Sequence, residues 1–297
     1  MKFKFWWVRG SIPSPGPRTV RYGGNTTCIE IRSDDDTLIV IDGGTGLFCL
    51  AQSLVAAPQR PIHANIFITH SHWDHIHGLP FFTPLFIKDS RVRLHGATDP
   101  DTGNGIEHVM GVQLQNSYFP VSETQMSATI EYRTLQVGER IAVGDAFVSN
   151  VVMSHPVTDL GYRVDCHGKS VFFTGDHEPL YNLYPADHPE HAAFAEHVAQ
   201  RTAAIDDLVR GVDALIVDCS YTRDEYPAKR GWGHGTFDSA LAMAIRTGAR
   251  QLYCTHHEPT RSDDELEAVF AEVMARHAPL PAGLQVFLAY EGMEVAL

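Results

Sequence analysis

No apolar run in this 297-residue sequence approaches the roughly 18 residues a helix needs to cross a bilayer, so the chain reads as soluble. The opening stretch MKFKFWWVRGSIP has an apolar core of only about four residues, and Arg9 interrupts it before any small-residue cleavage site, unlike a secretory leader. A first strand of a cytoplasmic protein is expected there. The five cysteines (Cys28, Cys49, Cys166, Cys219, Cys254) show no CxxC spacing and are odd in number, which argues against a disulfide framework and a thiolate zinc site. Small buried apolar roles are expected for most of them. Positive charge is scarce: 23 Lys and Arg against 36 Asp and Glu leave a formal charge of -13, and no basic stripe interrupts it. A long nucleic acid, held through many phosphate contacts, is a poor partner for such a surface. Linkers, low-complexity stretches and internal repeats are also missing, so residues 1–297 are expected to form a single domain.

Histidine is abundant, with 17 copies, so each candidate ligand must be judged by its local context. Strand-like segments open the chain (FKFWWVRG, TTCIEIRSDDDTLIVIDGG), with Asp34-Asp35-Asp36 as a turn between strands. GLFCLAQSLVAA reads as a helix, ANIFITH as a buried strand, and HIHGLPFFTPLF as a helix that Pro80 and Pro84 limit to about a turn. The middle of the chain is again a series of strands, from RVRLHG to SVFFTGD. After residue 189 come an amphipathic helix (PEHAAFAEHVAQRTAAIDDLVRG), the strand DALIVDCS, the helix TFDSALAMAIRTG and the strand QLYCTH. A last helix begins at Ser262 with Glu265 three residues on, a capping box, and the strand LQVFLAYEG follows it. Strands then helices, occurring twice, suggest an α/β fold of two sheets with helices outside.

The stretch ITHSHWDHIHG places His70, His72, Asp74, His75 and His77 within eleven positions at the end of the apolar run Ile66–Ile68. Positions 70 and 72 share a side in an extended segment, while Asp74 and His75, where a turn or helix begins, can aim at a second point nearby. Imidazole and carboxylate together suit Zn²⁺, with other first-row metals compatible. Further donors are expected at other strand ends, and His155, Asp176 and His256 each follow an apolar strand.

H-x-H-x-D-H followed by strand-end His, Asp and His resembles the metallo-β-lactamase superfamily over nearly the whole chain, from NTTCIEI and IVIDGGTGL to YCTHHEP. The resemblance implies an αββα sandwich with two divalent metal ions at one edge, Zn foremost and Mn or Fe as alternatives. It implies that His70, His72 and His155 hold one ion, that Asp74, His75 and His256 hold the other, and that Asp176 bridges them. Aspartate at 176, where some lactam hydrolases carry cysteine, argues against a lactamase. HPVTDLGYRVDCHGKSVFFTGD, GWGHGTFDSALAMA and GSIPSPGPRTVRYGGNTTC resemble the phosphodiesterase branch, ribonuclease Z and the small cyclic-nucleotide phosphodiesterases. The H-E-A-T-F element of ribonuclease Z is replaced here by DCSYTRDEY, and no long basic arm for gripping tRNA is evident.

By that resemblance, His234 stands beside the scissile phosphate, and Asp74 orients the attacking hydroxide as well as ligating. Asp42 reads either as an orienter of a ligand imidazole or as turn chemistry before Gly43-Gly44. His257, expected to point away from His256, reads as a substrate or surface contact, and His177 likewise beside Asp176. Asp218, Tyr221 and Glu225 read as a strand end and polar loop or as substitutes for the missing acidic element. His77, His188, His191 and His197 read as solvated. Phe81, Phe82, Phe86, Tyr118 and Phe119 read as core, with one or two free to stack a nucleobase. The expected function is a dinuclear metal-dependent phosphodiesterase acting on a small-molecule phosphodiester, a cyclic nucleotide or cyclic dinucleotide. No long nucleic acid and no membrane are expected as partners, and a homodimer is left open. The alternatives are an acyl hydrolase of a lactone, thioester or lactam, and a non-catalytic metal-stabilised binding protein.

Overall fold

The computed structural model describes residues 1–99 and 101–297. The first sheet contains β1 (Lys2–Phe5), β2 (Ile29–Arg32), β3 (Leu38–Ile41), β4 (His63–Phe67), β5 (Arg91–Gly96) and β6 (Thr129–Thr134). The second contains β7 (Arg140–Val143), β8 (Ala146–Val152), β9 (Leu160–Cys166), β10 (Lys169–Phe173), β11 (Ala214–Asp218), β12 (Gln251–Thr255) and β13 (Gln285–Leu288). A last strand, β14 (Glu294–Ala296), returns to the first sheet and pairs antiparallel with β1. The strand orders are β14-β1-β2-β3-β4-β5-β6 and β13-β12-β11-β10-β9-β8-β7. Helices α1 (Gly46–Ala56), α2 (Trp73–Ile76), α3 (Ile106–Gln113), α4 (His191–Val209), α5 (Tyr226–Lys229), α6 (Phe237–Thr247) and α7 (Asp263–Arg276) complete the architecture expected for an αββα sandwich.

Burial follows from strand position. The central strands β3 (LIVI) and β11 (ALIVD) are buried at every residue, as strands covered on both faces must be. Strand β7, at a sheet edge, alternates exposed and buried residues. The inner faces meet through aromatic contacts. Phe3 and Phe5 of β1 lie 5.4 and 5.6 Å from Tyr253 of β12, and Phe67 of β4 lies 5.4 Å from Tyr162 of β9. Each such pair contributes about 0.5–1.5 kcal/mol beyond its burial. The Tyr162 hydroxyl donates to the Ile68 carbonyl at 2.8 Å, which ties the second sheet to the start of the histidine-rich loop.

Several local expectations need correction. The helix expected over HIHGLPFFTPLF begins earlier, at Trp73, and ends at Ile76; the two proline segments are single 3₁₀ turns, Leu79–Phe81 and Thr83–Phe86. Helix α3 has no clear apolar period and contains Gly111, which hid it. Helix α4 buries only Ile205 and Val209, so its apolar stripe is thinner than its alanine-rich sequence suggests. The capping box of α7 forms as expected, with Ser262 and Glu265 bonded reciprocally. All five cysteines are free thiols, four of them buried. No helix of the described residues is long and apolar enough to cross a membrane.

Candidate metal centre

Strand direction gathers the site. Strands β3 and β4 run parallel in the first sheet, and β10, β11 and β12 run parallel in the second, with β8 aligned to β10 through the antiparallel β9. Their C-terminal ends lead to Asp42, His70, His155, Asp176, Asp218 and His256 along one edge, and β9 contributes Asp159 from the residue before its start. His70, His155, Asp176 and His256 stand one to three residues beyond their strands, where the backbone is released from the ladder, while Asp218 is the last residue of β11. His256 itself has φ 53°, a left-handed conformation uncommon for histidine.

Asp176 is the hub. Its Oδ2 lies 3.7 Å from His70 Nε2 and 3.9 Å from His155 Nε2, and His155 Nε2 is 3.1 Å from His72 Nδ1. Its Oδ1 lies 3.3 Å from His75 Nε2 and 3.0 Å from His256 Nε2, each of which is 3.3 Å from Asp74 Oδ2. The donors of each group, His70, His72, His155 and Asp176 on one side and Asp74, His75, Asp176 and His256 on the other, all lie within 4.8 Å of one another. Donors about 2.0–2.1 Å from a tetrahedral ion stand roughly 3.3 Å apart, so both groups suit a divalent ion.

Hydrogen bonding supports the same fit. The buried atoms His70 Nε2, His75 Nε2 and Asp176 Oδ1 have no hydrogen-bond partner, a costly arrangement unless a ligand satisfies them. The opposite ring nitrogens are engaged. His75 Nδ1 bonds Asp42 Oδ2 at 2.7 Å, and His70 Nδ1 faces Asp159 Oδ2 at 3.1 Å. His155 Nδ1 bonds the Gly233 carbonyl at 2.9 Å, and His256 Nδ1 bonds Ser220 Oγ at 3.0 Å. Such partners fix the tautomer and aim Nε2 inward. Asp42 is in turn held by the Thr69 N–H and hydroxyl, at 2.7 and 2.9 Å.

Electrostatics divides the two groups. Burial pushes His70, His72 and His155 below the ordinary histidine value, keeping their rings neutral. Burial also acts on His75 and His256, but the carboxylates around them, Asp176 foremost, outweigh it and raise both. Asp74 and Asp176 are held below the carboxylate range despite burial, by His75 and His256. This pocket demands positive charge, which divalent ions supply.

His234 stands at the rim, its side chain 12% exposed, with Nδ1 2.8 Å from Asp218 Oδ2 and its ring stacked 4.9 Å from that of His256. Burial alone would lower it, but Asp218 and Asp176 raise it to about 9. Asp218 therefore serves as the partner of His234, and its other oxygen accepts from Ser220 Oγ at 2.8 Å. The Gly233 φ is 87°, and a Cβ there would lie 2.3 Å from His155 Nδ1, so only glycine lets this loop reach the ring. From the N-terminus, the Ser11 N–H donates to Asp74 Oδ2 at 2.8 Å. A Cβ on Gly10 would come within 2.2 Å of the His256 ring.

Other candidates fall elsewhere. His257 is neither a substrate nor a surface residue: it is fully buried, its N–H donates to the Val8 carbonyl, and its ring is stacked 6.4 Å from Phe237. The left-handed turn at His256 breaks the alternation that would have pointed it outward. His177 is buried too, and its Nδ1 accepts from the Ser154 N–H. Tyr221 lies against His234 at 5.9 Å, while Glu225 pairs with Arg261. Phe82 is core, whereas Phe81, Phe86 and Tyr118 are exposed. Asp159, Ser220, Gly233 and the buried Glu178 were not anticipated. Asp159 follows His155 by four residues with no spacing rule to mark it, and the others act through loops whose approach only the fold determines.

A sequence profile described as the beta-lactamase superfamily domain matches residues 37–257, and the chain belongs to that superfamily. A ribonuclease Z from Kineococcus radiotolerans is 26% identical over 284 residues, covering 86% of this chain and 85% of the relative. The metallo-beta-lactamase fold protein YhfI from Bacillus subtilis superposes with a TM-score of 0.68 at 18% identity, over 99% of each chain. Human tRNase Z, short form, superposes with a TM-score of 0.66 at 17% identity, covering 100% of this chain and 99% of that one. The similarity to ribonuclease Z runs against the exclusion of long nucleic acids expected from charge.

Proposed function

We propose that this member of the beta-lactamase superfamily is a metal-dependent phosphodiesterase, a single hydrolase domain over residues 1–297 that cleaves a small phosphodiester such as a cyclic nucleotide or cyclic dinucleotide. His70, His72 and His155 would hold one ion and Asp74, His75 and His256 the other, with Asp176 between them; zinc suits these donors best, and manganese or iron also accepts them. Divalent ions held there would supply Lewis acidity, making water more nucleophilic and neutralising charge on a phosphoryl oxygen. Asp74 would orient the attacking water by accepting its hydrogen bond. Asp218 holds Nδ1 of His234, which leaves Nε2–H to donate to the departing oxygen or to a phosphoryl oxygen, a role typically worth about 10²–10⁴ in rate.

The observation that carries the reading is the Asp218-buttressed His234 at the rim of the double donor set. A donor so placed can serve both a phosphoryl oxygen and the departing alkoxide of a diester. The choice of a small substrate rests on the charge of -13, which repels a polyanion but tolerates a diester whose few charges are neutralised locally. The name of the ribonuclease Z relative supports a second reading, cleavage of RNA. A panel of cyclic mononucleotides, cyclic dinucleotides, bis(p-nitrophenyl) phosphate, structured RNA and acyl esters tests these readings on metal-loaded protein. Small diesters should give the highest kcat/KM. A higher value on RNA, falling steeply with salt, would overturn the small-substrate reading. Turnover of lactones or thioesters alone would establish the acyl hydrolase, and full metal loading with no turnover the binding protein.

A further inference from the structure

The loop before His234 carries an exposed tryptophan that the metal centre does not use. Trp232 is 58% exposed and lies between Gly231 and Gly233, each with φ 87°. Its N–H closes a tight turn onto the Lys229 carbonyl at 3.0 Å. The Lys229 ammonium sits 4.2 Å from the centre of the indole and 5.7 Å from that of Tyr221, whose ring is 5.9 Å from His234. Indole, ammonium, phenol and His234 thus form a chain of contacts that ends at the rim of the metal centre. Among the described residues, Lys229 has no carboxylate within ion-pairing distance, unlike many cations of this acidic protein.

The loop is anchored from below. Glu178 is buried, and its carboxylate accepts from the Tyr226 hydroxyl at 2.7 Å, from the Gly231 N–H at 2.9 and 3.0 Å, and from the Gly233 N–H at 3.0 Å. The same loop holds His155 through the Gly233 carbonyl. An apolar ring this exposed on so firmly held a support is a preorganised surface, because the cost of ordering it is met before any ligand arrives.

Resting on the phosphodiesterase reading, we propose that Trp232 and Lys229 form the recognition platform for a nucleoside-bearing phosphodiester: the base stacks on the open face of the indole, and the ammonium meets the negative charge of the ester. A flat π-surface accepts any base, so the platform selects for a base without selecting which one. The cation beside it supplies the attraction that the acidic surface otherwise withholds.

The test compares two diesters with one leaving group, thymidine 5′-(p-nitrophenyl phosphate) and ethyl p-nitrophenyl phosphate, on metal-loaded wild type, Trp232→Ala, Trp232→Phe and Lys229→Gln. For Trp232→Ala, the ratio of kcat/KM between the thymidine and ethyl esters should fall by about 5- to 100-fold, the range of base–aromatic stacking. The fall should lie mostly in KM, and Trp232→Phe should restore most of it. Lys229→Gln should lower kcat/KM on both esters, since both carry the charge. An unchanged ratio in Trp232→Ala would overturn the platform. If wild type cleaves neither ester, the phosphodiesterase reading fails and binding decides the platform separately. Quenching of tryptophan emission by thymidine 5′-monophosphate but not by ribose 5-phosphate, lost in Trp232→Ala, would support it; equal quenching in both proteins would overturn it.

Discussion

The two sheets supply the candidate centre in opposite ways. The first delivers His70, His72, Asp74 and His75 from one short segment, the loop after β4 and the start of α2, with Asp42 alone coming from another strand end. The second delivers His155, Asp176, Asp218, His234 and His256 from five separate places, scattered over a third of the chain. A contiguous cluster depends on local turn geometry, and a dispersed one on parallel strands ending along the same edge. The first half of the centre is a property of a peptide segment, the second a property of the fold.

Asp176→Ala attacks the junction of the halves and should have the largest effect. Metal content measured by elemental analysis should fall from near two ions per chain to one or fewer, with phosphodiesterase activity falling to background; full loading and full activity would remove the bridge. His234→Ala touches the dispersed half alone. It should leave metal content and folding intact and lower kcat on a phosphodiester by about 10²–10⁴. The loss should be smaller for a p-nitrophenolate leaving group than for a ribose alkoxide if the ring acts as an acid, and equal for both if it stabilises phosphate oxygens.

Asp42→Asn and Asp159→Asn each weaken one buttress of the first half, behind His75 from its own sheet and behind His70 from the other. Each should cost about 10- to 100-fold in metal affinity, measured by competition with a chelator, and the loss for Asp42→Asn should fall on the ion held by Asp74, His75 and His256. The smallest effect concerns the body of the first sheet. His95 is buried against Phe67 at 4.3 Å, and burial, aided by Arg133 and Arg93, lowers it to about 4. An unfolded chain takes up that proton near pH 6.5, so His95 favours unfolding progressively as pH falls from about 6.5 to 4. His95→Phe should flatten the decline of Tm in that window, by the equivalent of about 1–3 kcal/mol, while leaving metal binding unchanged. An unaltered pH slope would refute the assignment.

What was legible in the sequence follows this division. The histidine-rich loop announces itself because its donors are neighbours, and the strand-end His155, Asp176 and His256 follow apolar runs long enough to read. His234 and the ligand set became specific only through family resemblance. Asp159 lay hidden because its role is to meet His70 across the sheets, and Glu178 because its partners are backbone N–H groups some fifty residues away. His257 was misplaced because alternation assumes that a strand continues, and a single left-handed residue ended it. Helix α3 and strand β14 lacked the length or periodicity that marks an element before packing supplies its stability.

The contact of Gly10 and Ser11 with the centre has a consequence for synthesis. The ring that Gly10 accommodates belongs to His256, and Arg9, buried just before it, pairs with Asp263 at 2.9 Å. Arg9 is synthesised 254 residues before Asp263. Until that partner and His256 emerge, the segment has its local contacts alone, such as the Arg9 N–H on the Asn25 carbonyl, and lacks the two that fix it where the Ser11 N–H meets Asp74. Contacts of such long sequence separation form late. The nascent chain can shape its histidine-rich segment early, but the pocket closes only after the segment carrying His256 and Asp263 has been made.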